Sequence, residues 1–232
     1  MYGRIVTNLA CCSISISRSV VTLRAGKFIT FEGIDGSGKT TQIRYLADYL
    51  ESLGYEILLL REPGGTKISE EIRRILLDMK NEGMEPETEL FLFEAARSQL
   101  VREIIGPALE RGVWVISDRF HDSTTAYQGY GRGLPLDMVH ELNRRAIGDM
   151  VPDMTILIEL GADARKSRLG KRREDGQRDR LDVESEAFKQ RVCDGFLAIA
   201  EEEPDRVFRI ESQDNKEDTA RLIREQVRRI LL

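Results

Sequence analysis

The sequence predicts one α/β domain, in which helices pack on both faces of a five-stranded parallel sheet. Five short apolar runs alternate along the chain with longer segments whose apolar residues recur at helical spacing. The runs are apolar throughout, which is typical of strands buried on both faces, and the segments between them are long enough for crossover helices. These observations predict a three-layer arrangement of helix, sheet and helix.

The individual elements follow from these runs in chain order. The apolar runs KFITFE, YEILLL, VWVIS, MTILIEL and RVFRIE predict strands at 27–32, 55–60, 113–117, 154–160 and 206–211. The periodic segments predict helices at 39–52, 67–78, 86–110, 136–148, 162–173, 182–203 and 216–230. Because no internal repeat or low-complexity linker interrupts this alternation, we expect a single domain.

Length and composition agree with this fold class. The 232 residues suit one large domain, and 41% hydrophobic with 32% charged residues is typical of a globular protein. A net charge of −5 disfavours a protein that coats nucleic acid, and no apolar run approaches the ~20 residues that cross a bilayer. Three cysteines, two of them adjacent, predict no disulfide framework and favour a cytoplasmic location. We therefore expect neither a nucleic acid polymer nor a membrane as a partner.

The first 24 residues differ from the rest of the chain. They contain three arginines and four serines but no acidic residue. Such a segment resembles a transit peptide and, more faintly, a secretory signal, while a dispensable leader or an upstream start codon also accounts for it. We predict a dispensable leader at 1–24, followed by one domain at 25–232.

A glycine-rich loop directly follows the first predicted strand. Its residues, Gly33-Ile34-Asp35-Gly36-Ser37-Gly38-Lys39-Thr40, satisfy the pattern G-x-x-x-x-G-K-[ST]. Glycines in such a loop let backbone N–H groups surround a phosphate, and the next helix points its positive end at the same phosphate. Lys39 then reaches the outer phosphates, and the hydroxyl of Thr40 is a suitable Mg²⁺ ligand. The motif predicts a nucleotide site on a P-loop NTPase-type fold.

Further polar segments follow the second and third predicted strands, at the sheet edge where open parallel sheets bind ligands. They are REPGGT (61–66), SDRF (117–120) and STTAYQG (123–129). On the predicted helix between them, Phe93 and Arg97 are four residues apart and share a face. An aromatic ring and a guanidinium can therefore contact the same base.

Together these segments resemble the thymidylate kinases, which are P-loop kinases that phosphorylate dTMP. The stretches FEGIDGSGKTTQ (31–42), REPGGTKI (61–68), LFEAARSQLV (92–101) and DRFHDSTTAYQGYGRG (118–133) occur in family order and at family spacing. The resemblance covers the chain from about Gly26 to its C-terminus. It implies transfer of the γ-phosphoryl group of ATP to dTMP, giving dTDP and ADP, with Mg²⁺ as cofactor, in a cytoplasmic homodimer.

The resemblance also implies a role for each matching residue. Phe93 stacks on thymine, Arg97 bonds O4 of the base, and Arg119 holds the monophosphate. Asp35 meets the 3′-hydroxyl, and Tyr127 crowds the ribose 2′ position. The implied dTMP-binding residues are Asp35, Arg61, Glu62, Phe93, Arg97, Arg119, Thr124, Tyr127 and Gln128. The implied ATP-binding residues are Gly33, Ile34, Asp35, Gly36, Ser37, Gly38, Lys39 and Thr40. The implied metal-binding residues are Thr40 and Asp118.

The resemblance further implies a catalytic arginine outside the P-loop. Some thymidylate kinases carry this arginine at the position of Gly36, and those without it supply one from a mobile lid. The candidate lid is the basic segment 170–182, in which Arg173 and Arg180 are the favoured arginines. Converging cations and Mg²⁺ stabilise the charge of phosphoryl transfer without a general base. The predicted catalytic residues are Asp35, Lys39, Arg119, Arg173 and Arg180.

Other protein classes remain open from the residues alone. The segment Asn215-Lys216-Glu217-Asp218 matches the guanine motif N-K-x-D of GTPases. It lies at the start of the last predicted helix, however, where Asp214 or Asn215 would be an ordinary N-cap. A kinase for another small acceptor and a non-catalytic P-loop binding module are the remaining alternatives.

Overall fold

The computed structural model describes residues 26–160, 180–181 and 183–232, and its central sheet confirms the predicted architecture. The sheet has five parallel strands in the order β2-β3-β1-β4-β5. Because all neighbouring strands are parallel, their carboxyl ends lie at one edge of the sheet. The strands are β1 (Phe28–Glu32), β2 (Ile57–Arg61), β3 (Trp114–Asp118), β4 (Met154–Glu159) and β5 (Val207–Glu211).

Helices connect these strands and cover both faces of the sheet. They are α1 (Lys39–Ser52), α2 (Lys67–Leu77), α3 (Pro86–Leu100), α4 (Gly106–Glu110), α5 (His121–Thr124), α6 (Leu136–Ile147), α7 (Glu186–Glu202) and α8 (Lys216–Leu231). A π-helical turn at Val101–Ile105 joins α3 to α4, and a second at Thr125–Gly131 continues α5. The predicted helix at 86–110 is therefore one continuous helical segment with a change of winding.

Alternate residues of the central strands pack into separate apolar cores on the two faces. On one face, Ile29 packs with Leu46 of α1 and Ile223 of α8. On the other face, Phe28 packs with Leu109 of α4 and with residues of α3 and α6. This alternation follows from the pleat of a strand, which points successive side chains to opposite faces.

Strand β2 corrects one expectation from the sequence. Its apolar run predicts burial on both faces, but Leu59 is 45% exposed. In the described part of the chain, β2 lies at an edge of the sheet and pairs only with β3, where helices cover it less completely. Strand β5 forms the other edge. A continuous apolar run marks a strand in a parallel sheet, but it does not reveal where in the strand order that strand lies.

The segment 121–131 is helical, although the sequence analysis assigns no helix there. Consecutive Ser and Thr residues at 123–125 and glycines at 129 and 131 have low helix propensity, so local sequence hides the helix. Tertiary packing supplies the reason for the glycine at 131, because a Cβ atom on Gly131 would lie 2.7 Å from the ring of Phe188 in α7. The helical segment thus packs closely on α7.

Several predictions concern residues outside the described part of the chain. These are the leader at 1–24, the helix at 162–173 and the lid at 170–182 except for Arg180 and Leu181. In the described residues, no helix is long and apolar enough to cross a membrane.

Candidate active site

The P-loop connects β1 to α1 and approaches the neighbouring strand closely. Gly33 has a φ of +128°, and a Cβ atom there would lie 2.5 Å from the carbonyl oxygen of Ile158 in β4. Gly38, which precedes α1, also has a positive φ of 97°. Only glycine adopts these conformations at low cost, so the loop needs glycine at both positions.

Lys39 is the first residue of α1, and its side chain folds back over the loop. Its Nζ donates to the carbonyl oxygens of Gly33 at 2.9 Å and of Ile34 at 3.1 Å. Burial and the nearby charge of Arg119 lower the pKa of Lys39 to about 8. A bound phosphate would add negative charge beside this buried ammonium and favour its protonated form.

Arg119 follows β3 and lies between the P-loop and α5. Its backbone is left-handed, with a φ of 73°, which is uncommon outside glycine. Its Nη2 donates to Asp35 Oδ1 at 3.2 Å and to the Tyr127 hydroxyl at 3.3 Å, and its Nη1 donates to Ser123 Oγ at 3.0 Å. The guanidinium also lies over the Tyr127 ring, 5.1 Å from its centre. These contacts hold one cation at the centre of the site.

Glu32 lies near Arg119 and is a site residue that no sequence motif predicts. Its carboxylate accepts hydrogen bonds from the backbone N–H of Phe120 at 2.8 Å and from the Ser123 hydroxyl at 2.5 Å. Burial, reinforced by the charge of Asp122, raises the pKa of Glu32 to about 7. One sequence signal could have found it, because it is the only charged residue in the strand FITFE. Glu32 thereby fixes Ser123, which in turn contacts Arg119.

Phe93 and Arg97 lie on one wall of the site, as their spacing on α3 predicts. Arg97 is 1% exposed and donates to Glu62 at 2.8 Å, to Glu94 at 2.5 Å, and to Asn143 and the Phe120 carbonyl oxygen at 3.2 Å each. These bonds use four of the five N–H groups of a guanidinium. Arg97 is thus rigidly held, and one N–H on Nη2 has no partner among the described residues.

The helical segment at 121–131 brings three further predicted residues to the opposite wall. Thr124, Tyr127 and Gln128 all line the site. The Thr124 hydroxyl is buried and has no hydrogen-bond partner among the described residues, so a ligand could satisfy it. Gln128 donates from Nε2 to Glu89 at 2.7 Å.

Thr40 and Asp118 provide two adjacent oxygen atoms beside the P-loop. The Thr40 hydroxyl donates to Asp118 Oδ2 at 3.2 Å. Hard oxygen donors of this kind fit Mg²⁺, which binds proteins through one or two side chains and completes its shell with phosphates and water. Among the described residues no group of three or more His, Cys, Asp or Glu side chains could hold a metal alone. The pair fits a magnesium ion that arrives with a nucleotide.

The remaining predicted arginines have different surroundings. Arg61 lines the site but donates to Glu70 at 3.0 Å and to the Pro63 carbonyl oxygen at 2.9 Å. Arg180 is buried against Glu89 and donates to the Leu76 carbonyl oxygen at 3.1 Å, and it is not among the lining residues. Arg173 lies outside the described residues. Of the two lid arginines, only Arg180 belongs to the described residues, and it does not line the site.

One cavity of about 620 Å³ joins these walls. It extends from Phe93 and Gln128 past Arg119 and the P-loop to the loop after β5. Such a volume is typical of a small-molecule site. The lining residues that sequence analysis did not select are Pro63, Arg73, Leu77, Ser123, Leu181, Ser212, Gln213, Lys216 and Thr219, together with Thr41, Gln42 and Phe120.

Comparisons with known proteins agree with this geometry. A family profile described as thymidylate kinase matches residues 31–223. The chain belongs to the thymidylate kinase family. The reaction of this family is ATP-dependent phosphorylation of dTMP to dTDP, and the family membership confirms the reaction predicted from the sequence.

Individual relatives cover most of the chain. A thymidylate kinase of Geobacter sp. (strain M21) is 45% identical over 207 residues, which are 88% of this chain and 92% of the relative. One of Thermoanaerobacter sp. (strain X514) is 49% identical over 181 residues, or 78% of this chain and 87% of the relative. The crystal structure of thymidylate kinase from Ehrlichia chaffeensis matches with a TM-score of 0.70 at 37% identity, covering 88% of this chain and 98% of that one.

The guanine-like motif has a structural role, as its position predicts. Asn215 is the N-cap of α8, and its Oδ1 accepts a hydrogen bond from the Glu217 backbone N–H at 3.0 Å. The family membership and this cap together exclude the GTPase alternative.

Proposed function

We propose that this chain phosphorylates dTMP in the cavity described above, with Mg²⁺-bound ATP as the donor. The observation that carries this proposal is the continuity of the cavity from the P-loop to the wall formed by Phe93 and Arg97. Arg119 lies between the two ends, where an acceptor phosphate and a donor phosphate would meet. One continuous cavity can therefore position both reacting groups, which is the main requirement of phosphoryl transfer.

The acceptor end suits a thymine nucleotide. Phe93 offers an aromatic face to the base, and the remaining N–H of Arg97 donates to O4 of thymine. The unpartnered Thr124 hydroxyl gives the base or its sugar a further polar contact. Arg119 binds the monophosphate through its planar fork, and Asp35 accepts from the 3′-hydroxyl. Glu62 acts by holding Arg97, to which it is bonded at 2.8 Å.

The donor end suits the triphosphate of ATP. Backbone N–H groups of the P-loop and the N-terminus of α1 surround the phosphates, and Lys39 turns from Gly33 to the transferred group. Thr40 and Asp118 would hold Mg²⁺, which when bound neutralises charge on the phosphates. The loop after β5, with Ser212 and Gln213, borders the space left for adenine.

Catalysis depends on cations that converge on the moving phosphoryl group. Lys39 and Arg119 are already in the cavity wall. We propose that the lid adds Arg173 and Arg180 when both nucleotides are bound. For Arg180 this requires the loss of its contact with Glu89. Positive charge placed around the transition state is worth orders of magnitude in rate without a general base.

An acceptor panel tests this function. The protein is incubated with Mg-ATP and each of dTMP, dUMP, UMP, AMP, CMP and GMP, and ADP release is followed. We expect dTMP to be preferred, and Lys39→Met to lower turnover by at least ~10²-fold in a folded protein. Preference for another acceptor would instead favour a different small-molecule kinase, and absence of transfer to all six would favour a binding module.

We also propose that the protein is a cytoplasmic homodimer, following the family resemblance. Exposed apolar side chains on α2 and α3 support self-association. Cell fractionation tests the location.

A further inference from the structure

Glu89 of α3 is buried behind the base end of the cavity, and its carboxylate accepts several hydrogen bonds. The residue is 0% exposed. Its Oε1 accepts from Gln128 Nε2 at 2.7 Å and from Arg132 Nε at 3.1 Å. Its Oε2 accepts from Arg132 Nη2 at 3.0 Å and from Arg180 Nη2. These contacts fill the acceptor sites that a carboxylate offers.

Two guanidinium groups keep this carboxylate ionised. Burial alone would raise the pKa of Glu89, but hydrogen bonds from Arg132 and Gln128 and the charges of Arg132 and Arg180 lower it. Arg132 alone makes two of these bonds, so Glu89 stays paired if Arg180 moves during catalysis. An ionised carboxylate has no proton to donate. The Gln128 amide must therefore turn its NH₂ group toward Glu89.

This constraint determines what Gln128 offers to a ligand. Gln128 lines the cavity on the wall that also carries Thr124. Because Nε2 is directed at Glu89, the carbonyl oxygen Oε1 at the other side of the amide is the atom offered to a ligand, and it only accepts hydrogen bonds. Thymine presents an N–H donor at N3, whereas the N3 of cytosine is an unprotonated acceptor. An acceptor fixed at this wall suits thymine and repels cytosine.

We propose that Glu89 is a specificity-determining positioning residue, which fixes the Gln128 amide so that its carbonyl oxygen accepts from N3–H of dTMP. The inference rests on the proposed function of this cavity as the dTMP site. Arg97 supplies a donor for O4 and Gln128 supplies an acceptor for N3–H, so the two side chains read neighbouring atoms with opposite polarity. Cytosine has a donor where thymine has O4 and an acceptor where thymine has N3–H, and a buried mismatch of this kind is costly.

The test compares two acceptors of nearly the same shape. Wild type, Glu89→Gln and Glu184→Gln are assayed with Mg-ATP and either dTMP or 5-methyl-dCMP, which keeps the methyl group but reverses the hydrogen bonding. In Glu89→Gln, we expect the amide oxygen at the Oε2 position, where Arg132 Nη2 and Arg180 Nη2 donate. The NH₂ group then faces Gln128 and turns that amide over, and the bond from Arg132 Nε is lost. Glu184→Gln is the matched control, because Glu184 pairs with Arg132 Nη1 at 2.5 Å rather than with Gln128.

We expect Glu89→Gln to lower the dTMP to 5-methyl-dCMP ratio of kcat/KM by about 10- to 100-fold, as for one misdirected buried hydrogen bond. The control is expected to change this ratio by about twofold or less. In a Gln128→Met background, Glu89→Gln is expected to leave the ratio unchanged, because there is no amide to turn over. An unchanged ratio in a folded Glu89 variant, or an equal fall in the Gln128→Met background, would overturn the proposal.

Folding is checked by thermal unfolding of every variant. If Glu89→Gln does not accumulate as folded protein, Glu89→Asp replaces it, because aspartate keeps the charge but withdraws the carboxylate from Gln128. We expect the ratio to fall in the same direction. Failure of the proposed function is recognised separately, since wild type would then not phosphorylate dTMP or would not prefer it over 5-methyl-dCMP.

Discussion

At the scale of single residues, the site contains buried side chains that are ordinarily charged, and charged groups are normally found at the protein surface. Lys39, Arg97 and Glu32 are 5%, 1% and 1% exposed. Such groups are tolerated where a partner or a ligand compensates the lost hydration. For Glu32 the compensation comes from backbone and hydroxyl donors, with Arg119 nearby. The pKa of Glu32 is still raised to about 7, so these partners do not fully offset the burial.

The raised pKa of Glu32 makes stability depend on pH in a defined direction. Between its ordinary value of 4.5 and about 7, the folded protein holds a proton on Glu32 that the unfolded chain releases. The free energy of unfolding therefore falls as pH rises through this window. We expect Glu32→Gln to remove part of that fall, on the order of 1–3 kcal/mol. Urea unfolding at pH 5 and pH 7.5 measures it, with the exposed Glu110→Gln as control. Equal falls in wild type and Glu32→Gln would contradict the expectation.

Tyr127 carries the prediction about the sugar. Its ring packs edge-on against Phe188 and Phe196, and its hydroxyl accepts from Arg119 at 3.3 Å. Tyr127→Ala removes the bulk at the ribose, so we expect use of ribothymidine monophosphate relative to dTMP to rise by up to ~10²-fold. Tyr127→Phe keeps the bulk and loses only the contact to Arg119, so it should retain the wild-type ratio. Measurement of kcat/KM for both acceptors decides, and a folded Tyr127→Ala with an unchanged ratio excludes Tyr127 from sugar selection.

At the scale of elements, the sequence predicted what local pattern determines. Apolar runs and periodicity predict the five strands and the described α-helices outside 121–131. Phe93 and Arg97 share a wall because of their spacing on α3. Helix 121–131 was missed because packing on α7, rather than propensity, stabilises it. Glu32 and Glu89 were missed because each acts on residues far away in sequence, 91 positions to Ser123 and 39 to Gln128. Periodicity carries no information about such contacts.

The lid gives the prediction at this scale. We expect Arg173→Ala and Arg180→Ala to lower kcat more than they raise the KM for dTMP, because a cation that converges only on closure acts on the transition state. Arg180 now contacts Glu89 and Leu76, so Arg180→Ala tests whether it leaves them. Steady-state kinetics with Arg172→Ala as a control from the same segment measures the effect. Unchanged kcat in both variants would assign the segment no catalytic part.

At the scale of the whole molecule, the parallel sheet explains why distant segments form one site. The P-loop follows β1, Arg61 ends β2 and Arg119 directly follows β3, so all three lie at the same sheet edge. Helix α3 then closes the base end from one face. Helices α2 and α3 also carry exposed apolar residues, namely Ile68 at 53%, Ile75 at 47% and Phe91 at 56% exposure.

These exposed residues predict where two copies of the chain associate. Ile68 and Ile75 are seven positions apart and therefore share a face of α2, and burying them with Phe91 would remove apolar surface from water. We expect light scattering after size-exclusion chromatography to give twice the mass of a single chain. Combining Ile75→Glu with Phe91→Glu is expected to halve that mass, because it places charges in the contact. Ile230→Glu is the control, since Ile230 is 41% exposed on α8, which packs on the other face of the sheet. A wild type with the mass of one chain, or a double variant that stays dimeric, would show that this face does not join two copies.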